Sequence, residues 1–381
     1  MPPEPNQDYN TTVDPVVVAQ NLASPHDSRQ EVVRKTKRYG IIIAGVLVLG
    51  AILIVGLNEL KTNTTHKVSS ANKASPSTAT LTSAKPVTDI WTGKGQTENW
   101  SDTGNWSAGV PLDGYSVVFN AINGVIGSNN DIKNLSLKTL TFQGGGSTGV
   151  DEINLTGQPL TLGGGLTDNA GSAVSVDFSF SIFLSASQTF TINGVFGVDP
   201  NSSPELVGTV VDIGRYELSL AGNSNSISIN ALSGTGTVAL NLASGGSFII
   251  NQASPDFSGN VVLSSGLATI GNVSSFGSGS IEVDNGAELV IVSNGQSSST
   301  LSNNLSLNGN GISGAGAVNI SGSNNNFIFL GKISLNGNAQ IGFSDNLGNP
   351  QNGGSITLVS PAVTNGYTLT GTSQGINIQI Q

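Results

Sequence analysis

The sequence predicts an all-β fold from residue 89 onward, a parallel β-helix (β-solenoid) ectodomain, preceded by one transmembrane α-helix. Three observations carry this. Short runs of period two, such as "SLKTLTFQG", "VVDIGRYELSLAGN" and "IEVDNGAELVIV", recur about every ten residues for nearly 290 residues, each closed by Gly, Asn or Asn-Gly. No amphipathic helix of useful length follows residue 60. The chain holds 50 glycines and only 10% charged residues, yet 37% hydrophobic residues, a balance that fits a folded β chain rather than a disordered one.

The elements follow in order. Residues 1–38 are polar and carry Pro2, Pro3, Pro5, Pro15 and Pro25, which predicts a disordered cytoplasmic tail. Tyr39 to Leu57 is free of charge, and nineteen helical residues at about 1.5 Å each reach roughly 28 Å, enough to cross a hydrocarbon core. The basic flank Arg34, Lys35, Lys37 and Arg38 sets the N-terminus inside and residues 58–381 outside. A cleaved signal peptide is the competing reading, but it would have a shorter apolar run and a small-residue cleavage site. Residues 58–88, rich in Ser, Thr, Ala and Lys, predict a flexible stalk.

Residues 89–114 hold all three tryptophans, Trp91, Trp100 and Trp106. They read either as a stacking platform for glycans or as a plug over the open end of a solenoid. The plug is preferred, because it explains both their size and their confinement to one end. Residues 115–381 then supply the repeats. At about 20 residues per coil they predict on the order of a dozen coils, with Asn and Gly at the corners and stacked Asn side chains bonded between coils. Tandem β-sandwiches are the alternative architecture.

Several chemistries are disfavoured. The chain has no cysteine, hence no disulfide or thiolate site. Both histidines, His26 and His66, precede the β region, so no triad or zinc site is expected within it. From Asp89 onward five basic residues face eighteen acidic ones, which argues against nucleic acid as a partner. Carboxylates remain: the Asp151–Glu152 pair, and Glu282, Asp284 and Glu288. Residues 282 and 284 share a strand face and suit Ca²⁺ chelation or a hydrolytic pair, though an outward solvated face is the plainer reading. Gly144 to Asp151 and Gly163 to Asp168 have only part of the glycine spacing of a calcium-binding nonapeptide loop. Arg215 is expected to pair with Asp212 or Glu217. No cofactor, no metal and no enzymatic activity are expected.

Two stretches resemble a known family. Asn251 to Val292, with Phe257-Ser258-Gly259, then Phe276-Gly277-Ser278-Gly279-Ser280-Ile281 and Val283 to Leu289, resembles the passenger-associated repeat of bacterial autotransporter and adhesin surface proteins. Leu232 to Asn241 and Ile312 to Phe327 resemble Gly-x-Gly coils of such passengers, and the tryptophan stretch resembles the module at their start. The resemblance covers most of residues 89–330. It implies a β-helical fold, a bacterial cell-surface setting and an adhesive role toward surface glycans or another cell. No C-terminal membrane barrel is read in this sequence, so secretion through a barrel of its own is not implied.

Overall fold

In the computed structural model the described residues are 87–380, except 122–124, 145–150, 171–173, 197–209, 224–225, 244, 294–298, 323–325, 345–353 and 373–375. The expected tail, transmembrane helix, basic flank and stalk lie outside them, apart from the last residues of the stalk. Among the described residues no helix is long and apolar enough to cross a membrane.

The described chain is a parallel β-solenoid of about nine turns, not a set of sandwiches. Its pairings between strands are parallel turn on turn, and the only helical segments described are the 3₁₀ turns Thr103–Asn105 and Ile312–Gly314. The turns are fewer than the expected dozen because they are longer. Contacts one turn apart join residues 20 to 30 apart in sequence, the excess lying in loops between strands.

Three faces surround the core. The first starts with Thr88–Trp91, Ser116–Ala121 and Thr139–Gly144. The second starts with Val125–Asn130, Asp151–Gly157 and Val174–Phe178. The third consists of a five-strand ladder ending at Ala231–Ser233 and a four-strand ladder beginning at Ser299–Leu301. Between these ladders, turns carrying the buried Phe257 and Phe276 stand in place of strands, and Phe276 stacks on Phe248 at 6.3 Å.

Period two in sequence becomes columns in space. Leu218, Val238, Val261, Ile281, Leu305 and Ile333 occupy successive turns in register, and all are buried. On the second face Ile227, Phe248, Ala268, Leu289, Val318 and Ile341 do the same. Because successive side chains of a strand point to opposite faces, the alternation alone fixes which residues enter the core.

Glycines of the resembling motifs mark a corner where turns touch backbone to backbone. A Cβ on Gly259 would stand 1.9 Å from the Gly236 carbonyl oxygen, and one on Gly279 would stand 1.6 Å from that of Gly259. Asn303 closes the same corner from the next turn, donating to the carbonyls of Gly277 and Gly279 at 3.2 and 2.7 Å. Elsewhere amides ladder between turns, as expected: Gln143 donates to Asn120 at 2.7 Å, Asn193 to Asn169 at 2.8 Å, and the Asn223 backbone to Asn193 at 3.1 Å.

Gly259→Ala is expected to destabilise the fold by about 2–3 kcal/mol, the scale of a steric insertion into packed structure. Gly286→Ala, in open space but at a φ of +91°, is expected to cost only about 1 kcal/mol. Urea denaturation midpoints of the two variants check the order.

Candidate functional site

The tryptophan stretch wraps the start of the solenoid, where the first turn has no preceding turn among the described residues to pair with. Over the first face, the arm Asn105–Ser107 runs antiparallel to the strand Thr88–Trp91. Thr92 N–H donates to Asn105 O at 2.7 Å, Ser107 N–H to Ile90 O at 3.0 Å, and Ile90 N–H to Ser107 Oγ at 3.0 Å. Over the second face, Asn129 N–H donates to Glu98 O at 2.8 Å, and Trp100 N–H to Asn129 O at 2.9 Å. Over the third, Gly114 N–H donates to Ser136 O at 2.8 Å, and Ser136 N–H to Asp113 Oδ1 at 2.9 Å. Backbone groups at the leading edge of all three faces are thus engaged.

The loop holds itself in shape through two side chains. Asp102 accepts from Gln96 N–H, Thr97 N–H and Thr97 Oγ on one oxygen and from Gly104 N–H on the other. The Gly104 N–H leads these donors in holding its carboxyl below the usual range. Asn105 donates to the carbonyls of Thr97 and Asn99 and accepts from Gly95 N–H. The buried Asp89 fastens the arm, accepting from Ser107 Oγ at 3.0 Å and Ala108 N–H at 2.8 Å.

Beneath this loop the indoles are inside the protein. Trp100 is 0%, Trp106 5% and Trp91 7% exposed. Trp91 and Trp106 meet edge to face at 5.0 Å, Trp100 and Trp106 at 5.5 Å, and all three lie within 6.0 Å of Phe119. Phe119 stacks on Phe142 at 5.8 Å, so the cluster continues into the core. The polar ends of two indoles are satisfied internally: Trp100 Nε1 donates to Ser128 Oγ, and Trp106 Nε1 to Trp100 O at 2.8 Å. No broad indole face is open to solvent.

What remains open is a cleft of about 540 Å³ between the loop and the first turn. The buried Trp91 and the half-buried Ile126 form apolar wall, while Lys94, Glu98 and Asn120 bring polar groups to it. Sequence reasoning missed these three, since on a single turn they look like ordinary solvated side chains.

The carboxylates singled out earlier are not brought together. Glu282 projects outward from the strand Ile281–Val283 and accepts from Asn336 at 3.2 Å, two turns away. Asp284 lies just past that strand, in the turn closed by Ala287 N–H. Glu288 corrects the solvated reading: it is 4% exposed, covered by the loop around Ile312–Gly314. It accepts from Asn319 Nδ2 at 2.9 Å and Ile312 N–H at 3.2 Å, and burial pushes its pKa up. Asp151 and Glu152 begin the strand Asp151–Gly157. Among the described residues no group of three His, Cys, Asp or Glu side chains is gathered as a metal would need. The ion pair expected of Arg215 does not form among the described residues. Its guanidinium lies 5.7 Å over the Tyr216 ring, and Asp212 accepts from Gly214 N–H instead. His26, His66, Arg34, Lys35, Lys37 and Arg38 lie outside the described residues.

Asp168 is a carboxylate in the core. It shares the inward side of the strand Leu166–Asn169 with Leu166 and stands in register between Phe142 and Ile192. Burial drives its pKa up to about 6, against the opposing hydrogen bonds from the Ala170 and Gly194 N–H groups. Its Oδ2 has no partner. The incomplete calcium-loop spacing at Gly163 to Asp168 therefore ends in a residue turned into the core.

No family model, curated protein or solved structure matches the chain.

Two outcomes are expected. Trp100→Ala and Trp106→Ala should each lower unfolding free energy by about 3–5 kcal/mol, as for large aromatics removed from a core, whereas removing a surface platform would leave the denaturation midpoint in place. For Asp168, the folded carboxyl holds its proton more tightly than the unfolded one at its ordinary 3.8. Its stabilising contribution is complete below that value and is lost as pH rises through about 6. Asp168→Asn should remove this loss, so that variant minus wild-type stability rises by about 2 kcal/mol between pH 4 and pH 7. Denaturation series at both pH values give the difference.

Proposed function

We propose that this chain is a membrane-anchored, cell-surface β-solenoid with a structural or adhesive role, in attachment to cells or other surfaces or as part of an envelope coat. The observation that carries the reading is a parallel solenoid on which Asn and Gln side chains form turn-to-turn amide ladders. A stacked solenoid gives an extended surface whose spacing is set by its backbone, suited to repeated weak contacts.

The setting comes from sequence. The apolar run Tyr39 to Leu57 with its flank Arg34, Lys35, Lys37 and Arg38 supports an anchor with the N-terminus inside, and residues 58–88 support a stalk. The likeness of Asn251 to Val292 to autotransporter passenger repeats supports a bacterial surface location. Within the solenoid, Trp91, Trp100 and Trp106 serve as the cap, because the segment carrying them engages the leading edge of all three faces while their rings extend the core. No catalytic role is assigned.

Protease added to intact cells that make the full chain tests this. Residues 89–381 should be released or degraded while the N-terminal tail stays protected. Protection of residues 89–381 until the cells are lysed would overturn the surface reading.

A further inference from the structure

We infer that the cleft at the capped end is a binding site for a short, uncharged glycan. This deepens the surface role proposed above and rests on it.

The cleft is built rather than left over. Gly127 lies where any Cβ would come within 3.0 Å of the Glu98 carboxyl group, so its missing side chain is what lets that carboxyl lie against the strand Val125–Asn130. Gly93, at a φ of +60°, passes the Trp91 indole nitrogen, and a Cβ there would stand 3.3 Å from it. The volume, about 540 Å³, is in the usual range for small-molecule sites.

Both of its charged groups are uncommitted. Lys94 and Glu98 form no ion pair or side-chain hydrogen bond among the described residues, although each lines the cleft. Asn120 has its Oδ1 occupied by Gln143 Nε2 at 2.7 Å, which leaves its amide donors available. An ammonium only donates and a carboxylate only accepts, so a ligand meeting both must do both. Sugar hydroxyls do this at every ring position. One positive and one negative group also balance, which favours an uncharged ligand over an acidic or a basic one. The half-buried Ile126 gives the C–H face of a pyranose ring an apolar patch to lie against.

The test uses the full-length chain in detergent, an array of neutral, sialylated and uronate-containing oligosaccharides, and the exposed-site variants Lys94→Met and Glu98→Gln. Binding to neutral glycans is expected, with affinity falling about tenfold in each variant, the scale of losing a hydrogen bond to a charged group, and the melting temperature unchanged. Absence of neutral-glycan binding, equal binding by both variants, or preference for charged glycans or a zwitterionic peptide would overturn the inference. Cell attachment that survives both variants, together with a silent array, would discard this site and leave the adhesive reading standing.

Discussion

Every turn of this solenoid is completed by the turn before it. Backbone hydrogen bonds run from turn to turn, and each inward side chain is covered by its counterpart one turn away, as in the column from Leu218 to Ile333. The constraint has two results. Whatever lies in the core must lie in register, and the first turn must be completed by something that is not a turn. The rest of the described structure answers one or the other.

Register explains the corners and the carboxylates. Where turns approach backbone to backbone, as at Gly236, Gly259 and Gly279, only a residue without Cβ fits. Where side chains at a corner stay polar, they bond along the stack, as from Asn120 to Gln143 and from Asn169 to Asn223. Asp168 obeys the register and violates the chemistry, since a residue two positions from Leu166 on one strand must share its face. Its raised pKa follows from that placement. Glu288 is buried for another reason: the Ile312–Gly314 loop lies over it and supplies one of its donors, Asn319 supplying the other.

The missing predecessor explains the tryptophans. A loop of small polar residues would close the backbone edges but leave the top of the core wet. Three indoles against Phe119 fill it, and the N–H groups of Trp100 and Trp106 find partners beneath the loop. The same construction creates the cleft, because the loop laid across the end of the stack brings Lys94 and Glu98 into one lining with Asn120 and Gly127 of the first turn. Structural closure and a candidate glycan site thus arise from one segment, with the indoles belonging to the first and the rim residues Lys94, Glu98 and Asn120 to the second.

Much of this was legible in the sequence because it is periodic. Alternation fixed which side of each strand faces inward, glycine and asparagine marked corners, and the clustering of Trp91, Trp100 and Trp106 marked an end. The turn count was overestimated because loop length between strands carries no period. The fates of Glu288 and Arg215 were misread because each depends on a neighbour distant in sequence or on a ring that competes with an acid. The cleft was invisible, since Glu98, Asn120 and Gly127 meet only after the loop folds back over the first turn. By itself the sequence determined the local pattern, strand by strand, since side-chain alternation and turn chemistry act over a few residues. Which residues meet across turns, which carboxylates lose their water and where a cavity remains were decided only by the tertiary structure, because stacking joins residues 20 to 30 apart through loops whose lengths follow no rule.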